Sequence, residues 1–487
     1  MNRKSSRIVV PAVLLAAAFV PGAWLAASPQ AAAAAPQRPA AASQGLDLPA
    51  LDQFIADTMA AKGFVGLSVA LMIDGKIVLA KSYGQAALDG PAANAETSFA
   101  IGSISKQFTC AAVLKLAEAG RLSVMDKVAK YYPELTRADD ITLLDLMNHV
   151  SGYRDWYPLD FVDRPMSRPI EPDVLIRRFA GEGRKLDFEP GSRYSYSNTG
   201  FNILGRVVEK VSGQELGRFL SDEFFSPLGM RRTFYEPDPK LPNLASGYIL
   251  FATSAPAPNT PEALHWVGGA GAIYSTAADL AAWDLALVTG KVLKPESYAL
   301  MTKPRMLTDG RVSWYGCGLS VGYNNRRFVI SHGGAVSGFQ ASNFAVPDTR
   351  SAAVLLSNAE TGENGLIFDK LVAAILPAAN VDVPKIAGPP AADVHRMMLA
   401  SYQAGKVDRK LLGEEFSYWL NASRLQAAST ALKPYGEPAK AVVESTNERG
   451  GMEVSIVRFT FADGSSLRGL MYRTPDGKIQ QFFVSRA

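Results

Sequence analysis

An α+β fold is predicted, with an antiparallel sheet assembled from both ends of a long first domain, helices packed against it, and a small α+β domain behind. Three observations carry this: alternating apolar runs near the start of the chain, similar runs far downstream, and helical periodicity between them. At 487 residues the chain is long enough for more than one domain.

The first periodic segment is helical, through Leu51, Phe54, Ile55 and Met59. A hairpin follows. Leu67, Val69, Leu71 and Ile73 alternate up to Asp74-Gly75, and Ile77 and Leu79 alternate after it. Ser103 to Ala119 is apolar at helical spacing and stops at Gly120, and Thr199 to Val211 repeats the pattern before Gly213. Another helix is predicted from Ala277, and strands from Trp314 to Ser357. Pro384, Pro389 and Pro390 mark a linker over 381–392. Residues 393–487 read as a helical stretch from Val394 to about Leu432, then strands divided at Asp463-Gly464 and Asp476-Gly477. Within these, Met452 to Phe461 shows a one-residue phase change of the kind a bulge produces. The first domain therefore covers 46–380. Tyr472, Phe482 and Phe483 are expected in the core of the second.

Ahead of both lies a leader. Arg3, Lys4 and Arg7 precede an apolar run from Ile8 to Ala27, and small residues reach Ala35. This reads as a signal peptide over 1–35 followed by a tether over 36–45, which predicts a periplasmic or secreted protein. An uncleaved anchor is the alternative, weakened by Pro11 and Pro21. No later apolar run has spanning length, so no further contact with a membrane is expected. Beyond the leader, 47 basic residues face 46 acidic ones, which excludes the basic field of a nucleic-acid binder. Cys110 and Cys317 leave room for one disulfide at most.

Three short motifs carry chemistry. Ser103-Ile104-Ser105-Lys106 is the single Ser-x-x-Lys of the chain, at a predicted helix start where serine and lysine share a face. A lysine there accepts the serine proton only if its pKa falls far below the free value. The same spacing also occurs at ordinary helix starts. Tyr196-Ser197-Asn198 precedes the next helix: a phenol of lowered pKa serves as a base, and an asparagine amide orients a carbonyl. Tyr323-Asn324-Asn325 matches the same pattern. His332-Gly333-Gly334-Ala335 closes a predicted strand, with glycines permitting close backbone approach and an N–H for an oxyanion. Gly318-Leu319-Ser320-Val321-Gly322 mimics a nucleophile elbow but lies among strands, so Ser320 is a decoy. The four histidines are scattered, and neither a metal-binding spacing nor a nucleotide fingerprint is present, so no metal and no cofactor is expected.

In this order the motifs resemble the serine β-lactamase and penicillin-recognising superfamily, and most closely its class C-like branch of esterases, D-amino-acid peptidases and D-Ala-D-Ala carboxypeptidases. Leu143 to Gly152, Gly268-Gly269 through Asp279, and Tyr315 to Gly318 agree with it. The resemblance implies a β-lactamase/transpeptidase-like sheet flanked by helices, with Ser103 as nucleophile and Lys106 as its proton partner. It implies Tyr196 as general base and leaving-group acid, and Asn198 on the substrate. The oxyanion hole would be the N–H groups of Ser103 and Ala335, with His332, Gly333 and Gly334 beside the substrate. Histidine in place of the Lys-Thr-Gly of β-lactamases argues against strong carboxylate binding. The expected substrate is therefore a small-molecule ester, an amide or a peptide, with β-lactams and peptidoglycan peptides as the alternative. A catalytically silent binding or sensor protein is the non-enzyme alternative. The C-terminal part resembles small modules of cystatin-like or nuclear-transport-factor-like type.

Overall fold

The computed structural model describes residues 46–157, 162–251, 254–376 and 383–486. The signal peptide, the tether and the boundary at 380 lie outside these. Among the described residues no helix is long and apolar enough to cross a membrane.

The first domain is built on a six-stranded antiparallel sheet. Helix α1 (Leu48–Lys62) leads into strands β1 (Gly66–Ile73) and β2 (Lys76–Gly84). Helices α2 (Ser105–Glu118), α3 (Asn198–Ser212) and α4 (Ala277–Val288) fill the middle of the chain. Strands β3 (Ser320–Asn324), β4 (Arg327–Val336), β5 (Phe339–Val346) and β6 (Ser351–Ser357) return to the sheet before α5 (Asn364–Ile375). The spatial order is β3-β4-β5-β6-β1-β2, so the two ends of the domain meet where β1 pairs with β6, Leu67 opposite Ser357.

Two cores follow from strand alternation. Leu67, Val69 and Leu71 of β1 face α1 and α5, where Ile55, Ile367 and Leu371 pack. Ala70 and Met72 face the larger core around Phe108, Phe201 and Trp283 of α2, α3 and α4. The central strands β1 and β6 are thus buried on both faces, while the edge strand β2 is largely exposed. Cys110 and Cys317 are both buried and free, so no disulfide forms.

The second domain has its own core, from Val394 and Met398 to Phe459 and Phe482. Helices α6 (Ala391–Gln403) and α7 (Ala422–Leu432) pack on a meander of β7 (Lys440–Arg449), β8 (Met452–Thr460), β9 (Ser466–Arg473) and β10 (Ile479–Arg486). The expected continuous helical stretch is interrupted after Gln403, where Gly405 turns with φ +66°. The phase change expected in β8 is absent. Glu453, Ser455, Val457 and Phe459 form one buried face, and the irregularity lies on the partner strand between Val443 and Ser445. Polar Glu453 and Ser455 on the inner face made the apolar pattern seem to shift. Phe482 is core as expected, whereas Phe483 is 44% exposed and packs beside Trp419.

Candidate active site

Ser103 sits on a single 3₁₀ turn, Gly102–Ile104, immediately before α2 rather than on the helix itself. Lys106 lies one turn on, and its Nζ is 3.0 Å from Ser103 Oγ. The same Nζ donates to Asn198 Oδ1 at 2.8 Å and to the Ala270 carbonyl at 2.8 Å. Lys106 is fully buried, and burial draws its pKa down to about 7, against an opposing pull from Asp155.

The partners bear on how the lysine is used in its neutral form. Asn198 Oδ1 and the Ala270 carbonyl only accept, so a neutral lysine spends both its N–H groups on them. Its lone pair is then left facing Ser103 Oγ–H. That arrangement suits transfer of the serine proton to Lys106. Two further bonds hold α2 against the segment carrying Ala270: Thr109 donates to the Gly269 carbonyl at 2.7 Å, and Ile273 N–H to Ser105 Oγ at 3.2 Å.

Tyr196 stands over the lysine, its ring centroid 4.7 Å from Nζ. Its hydroxyl is buried beside Ser103 without a well-formed hydrogen bond, and burial pushes its pKa well above the ordinary phenol value. The phenol is therefore protonated at neutral pH, the form in which the expected leaving-group acid donates. Lys106 Nζ stands within hydrogen-bonding distance of Ser103 Oγ.

Two residues outside the sequence motifs hold this pair in place. His149 lies tilted against Tyr196 with centroids 4.3 Å apart, accepts from Ser197 N–H at 3.1 Å through Nδ1, and accepts from Ser195 N–H at 3.0 Å through its carbonyl. Burial holds its imidazole neutral. Asp155 accepts from the backbone N–H of Asn198 at 2.9 Å and from its Nδ2 at 3.3 Å, which turns Oδ1 toward Lys106. The histidine belongs to the stretch Leu143 to Gly152 already singled out; Asp155 gave no pattern in the sequence.

The third motif lies inside β4, not beyond its end. A Cβ on Gly334 would come within 2.0 Å of the Ile101 carbonyl and 3.3 Å of Ser103 N, so only glycine lets β4 press on the nucleophile turn. Gly102, at φ +48°, meets Ala335 N from the other side, where an added Cβ would lie 2.7 Å away. This contact sets the Ser103 turn against the Gly334-Ala335 segment, the two backbones that an oxyanion hole of Ser103 and Ala335 N–H groups would use. The close approach is thus to the protein's own turn. Gly333 is open, its nearest neighbour for an added Cβ being 4.0 Å away.

His332 is buried, with Nε2 2.8 Å from the Tyr315 hydroxyl, and burial with nearby Lys106 draws its pKa down to about 4. It is uncharged at neutral pH. Ser320 opens β3 and Tyr323 is 58% exposed on the edge strand, so neither competing motif joins the cluster. No group of side chains fit to hold a metal occurs among the described residues.

A serine and lysine one helical turn apart, a phenol over the lysine and a glycine-tight strand against the serine's turn define a protein of the active-site-serine, Ser-x-x-Lys class. The chain belongs to the Beta-lactamase family, whose model matches residues 51–378. Among curated relatives it is similar to D-aminopeptidases of Brucella anthropi. One match is 30% identical over 327 residues, covering 66% of this chain and 61% of that protein. Another is 28% identical over 421 residues, covering 82% and 79%. In the first, the chain spans less than two thirds of the relative's length. Among solved structures, D-amino acid amidase from Ochrobactrum anthropi SV3, complexed with L-phenylalanine amide, matches with TM-score 0.58 at 24% identity, covering 68% of this chain and 99% of that one. The octameric penicillin-binding protein homologue from Pyrococcus abyssi matches with TM-score 0.61 at 20% identity, covering 91% and 96%. At these identities the likeness is one of fold.

Proposed function

We propose that the protein is an exported serine hydrolase that cleaves the amide of a D-amino acid carrying a free α-ammonium group, through an acyl-enzyme. Neutral Lys106 takes the proton of Ser103 Oγ as the oxygen bonds to the substrate carbonyl carbon. The N–H groups of Ser103 and Ala335 receive the oxyanion. Tyr196 donates to the departing amine as the C–N bond breaks, and the Lys106 ammonium restores the phenol proton. Water then attacks the ester, Lys106 again taking a proton, and Ser103 is regenerated.

The observation that carries the substrate class is a pair of carboxylates bonded to segments of the site. Asp155 lies beside Asn198, and Glu262 holds the turn that follows Ala335, accepting from Ser337 N–H at 3.1 Å and from the Tyr157 hydroxyl at 2.8 Å through Oε1. Neither is ion-paired among the described residues, which suits them to an ammonium. The names of the curated relatives support the D-configuration, and the basic-then-apolar leader supports export. Uncharged His332 weighs against β-lactams, whose carboxylate needs a cation.

The test compares D-alanine p-nitroanilide, its L-isomer and the N-acetylated D-compound, with Ser103 labelling by a fluorophosphonate as control. The reading expects hydrolysis of the first alone and a label lost in Ser103→Ala. Equal turnover of the acetylated compound would remove the ammonium, and an unlabelled wild type would favour a silent binding protein. The mass of the exported mature chain checks the leader, with an intact Met1 on the exported protein counting against cleavage.

A further inference from the structure

Apart from the catalytic set, a cavity of about 470 Å³ opens against the helix that follows the second motif. Asn202, Gly205, Arg206 and Glu209 of α3 form one wall, at the spacing of a single helical face. Gly268 and Gly269 form another. The two walls touch closely: a Cβ added to Gly269 would lie 2.6 Å from the Phe201 carbonyl and 3.2 Å from Gly205 Cα. Asn202 is 6% exposed, and its Nδ2 donates to the Trp266 carbonyl at 2.9 Å, which fixes the amide. Its Oδ1 is left without a partner, beside Gly268, where an added Cβ would lie 3.5 Å from it.

The charge of the cavity has a definite sign. Four carboxylates line it, those of Glu171, Glu209, Glu215 and Glu236, with two guanidiniums, Arg206 and Arg218. Both guanidiniums are already paired, Arg206 with Asp173 at 3.0 Å and with Glu209, and Arg218 with Asp222 at 2.7 Å. Glu171 and Glu215 are exposed and have no cationic partner among the described residues. The cavity therefore keeps unpaired carboxylates and an unpaired amide oxygen, acceptors that a cation bearing N–H groups satisfies. The carboxylates do not converge into a metal-binding group, which favours an organic ammonium over a metal ion.

We propose that this cavity is a second ligand site, for a small organic ammonium compound, and that its occupant acts on Lys106 through α3 and the Gly268–Ala270 segment. Both acceptors of the lysine ride on these two walls. Asn198 is the first residue of α3, and Ala270 directly follows Gly268 and Gly269. Gly269 also gives its carbonyl to Thr109, on the same helix as Lys106. An occupant bonded to both walls holds the two acceptors on the lysine, the arrangement in which its lone pair faces Ser103.

Two measurements on the full chain test it. Calorimetry follows 1,4-diaminobutane and its neutral counterpart 1,4-butanediol onto Ser103→Ala, and onto Ser103→Ala with Glu171→Gln and Glu215→Gln. The diamine alone is expected to bind, and its affinity to fall at least about 10-fold in the glutamine variant, as loss of charged hydrogen bonds requires. Absent binding overturns the site, and so does an affinity that the two glutamines leave unchanged, which would place the diamine elsewhere, as beside Asp155 and Glu262. The second measurement is the rate of Ser103 labelling by a fluorophosphonate. Saturating diamine is expected to raise it about 5-fold or more in the wild type, the scale of a coupling between sites. The rise should vanish in Glu171→Gln with Glu215→Gln, whose rate without diamine should match the wild type. Binding that leaves the labelling rate unchanged overturns the link to Lys106, as does equal slowing in both proteins, which marks the reaction centre as occupied. This arm rests on the hydrolase reading above. A wild type that takes no label at all defeats that reading instead, and calorimetry then decides the site.

Discussion

At the residue scale, the site depends on one lysine being neutral where lysines are ordinarily charged. An ammonium has no lone pair, so Ser103 cannot pass its proton to Lys106 until Lys106 has lost one. With burial drawing its pKa to about 7, the rate of Ser103 acylation by a fluorophosphonate is expected to rise with pH through about 7 and level off above it. A rate constant flat from pH 6 to 9, or a limb near 10, would show that the lysine is not the base. His332 titrates far lower, at about 4, and adds no limb in that range. The same shift bears on stability with a definite sign. Between about 7 and 10 the unfolded chain holds the lysine proton and the folded chain does not, so this group's contribution favours the fold more as pH rises through that window. Ser103, Lys106, Tyr196 and Asn198 were legible in the sequence because each stands in a short motif of fixed spacing. Asp155 was not. It reaches Asn198 from 43 positions away, a contact that only the tertiary fold creates.

At the level of elements, catalysis rests on a strand pressed against a turn. An oxyanion hole of the Ser103 and Ala335 N–H groups requires β4 to lie close to Gly102–Ile104, and Gly334 is where an added Cβ would meet that turn most tightly. A methyl group at Gly334 would sit 2.0 Å from the Ile101 carbonyl, so β4 must withdraw. Gly334→Ala is therefore expected to lower acylation by at least about 100-fold, the cost of losing one oxyanion donor. Circular dichroism and the melting transition should show the sheet retained. Gly333→Ala, with open space at its Cβ, should fall far less. Equal losses in the two variants would mean that close approach is not what the motif provides. The sequence marked this pair as backbone-permissive but did not reveal what approaches. Glycines signal room, and the tenant is known only once α2 and β4 are both placed. The misread phase of β8 has a related origin: polar Glu453 and Ser455 point inward, so hydropathy alone inverted the strand's faces.

For the whole molecule, the inward-facing Glu453 becomes an experiment on how the two domains depend on each other. It meets Arg473 through two hydrogen bonds of 2.6 and 2.8 Å, both side chains nearly inaccessible, and Arg473 also donates to the Pro389 carbonyl at 2.8 Å. The arginine thus ties the linker to the small domain's sheet, and Ala387 N–H, bonded to the Pro475 carbonyl at 2.9 Å, adds a second tie. Removing one partner of a buried ion pair leaves an uncompensated charge, at a cost of about 3–5 kcal/mol. Replacing both with apolar groups of similar volume avoids that charge. Glu453→Ala is accordingly expected to lower the melting temperature of one calorimetric transition, and Glu453→Met with Arg473→Leu to restore most of it. Because the core of residues 393–487 is separate from the two that flank the large sheet, Ser103 labelling should persist at temperatures where the small domain of Glu453→Ala has melted. Loss of labelling in step with that transition would show that the active site depends on the second domain being folded. Retention would mean that the serine, its lysine and the strand that completes them are held by the first domain alone.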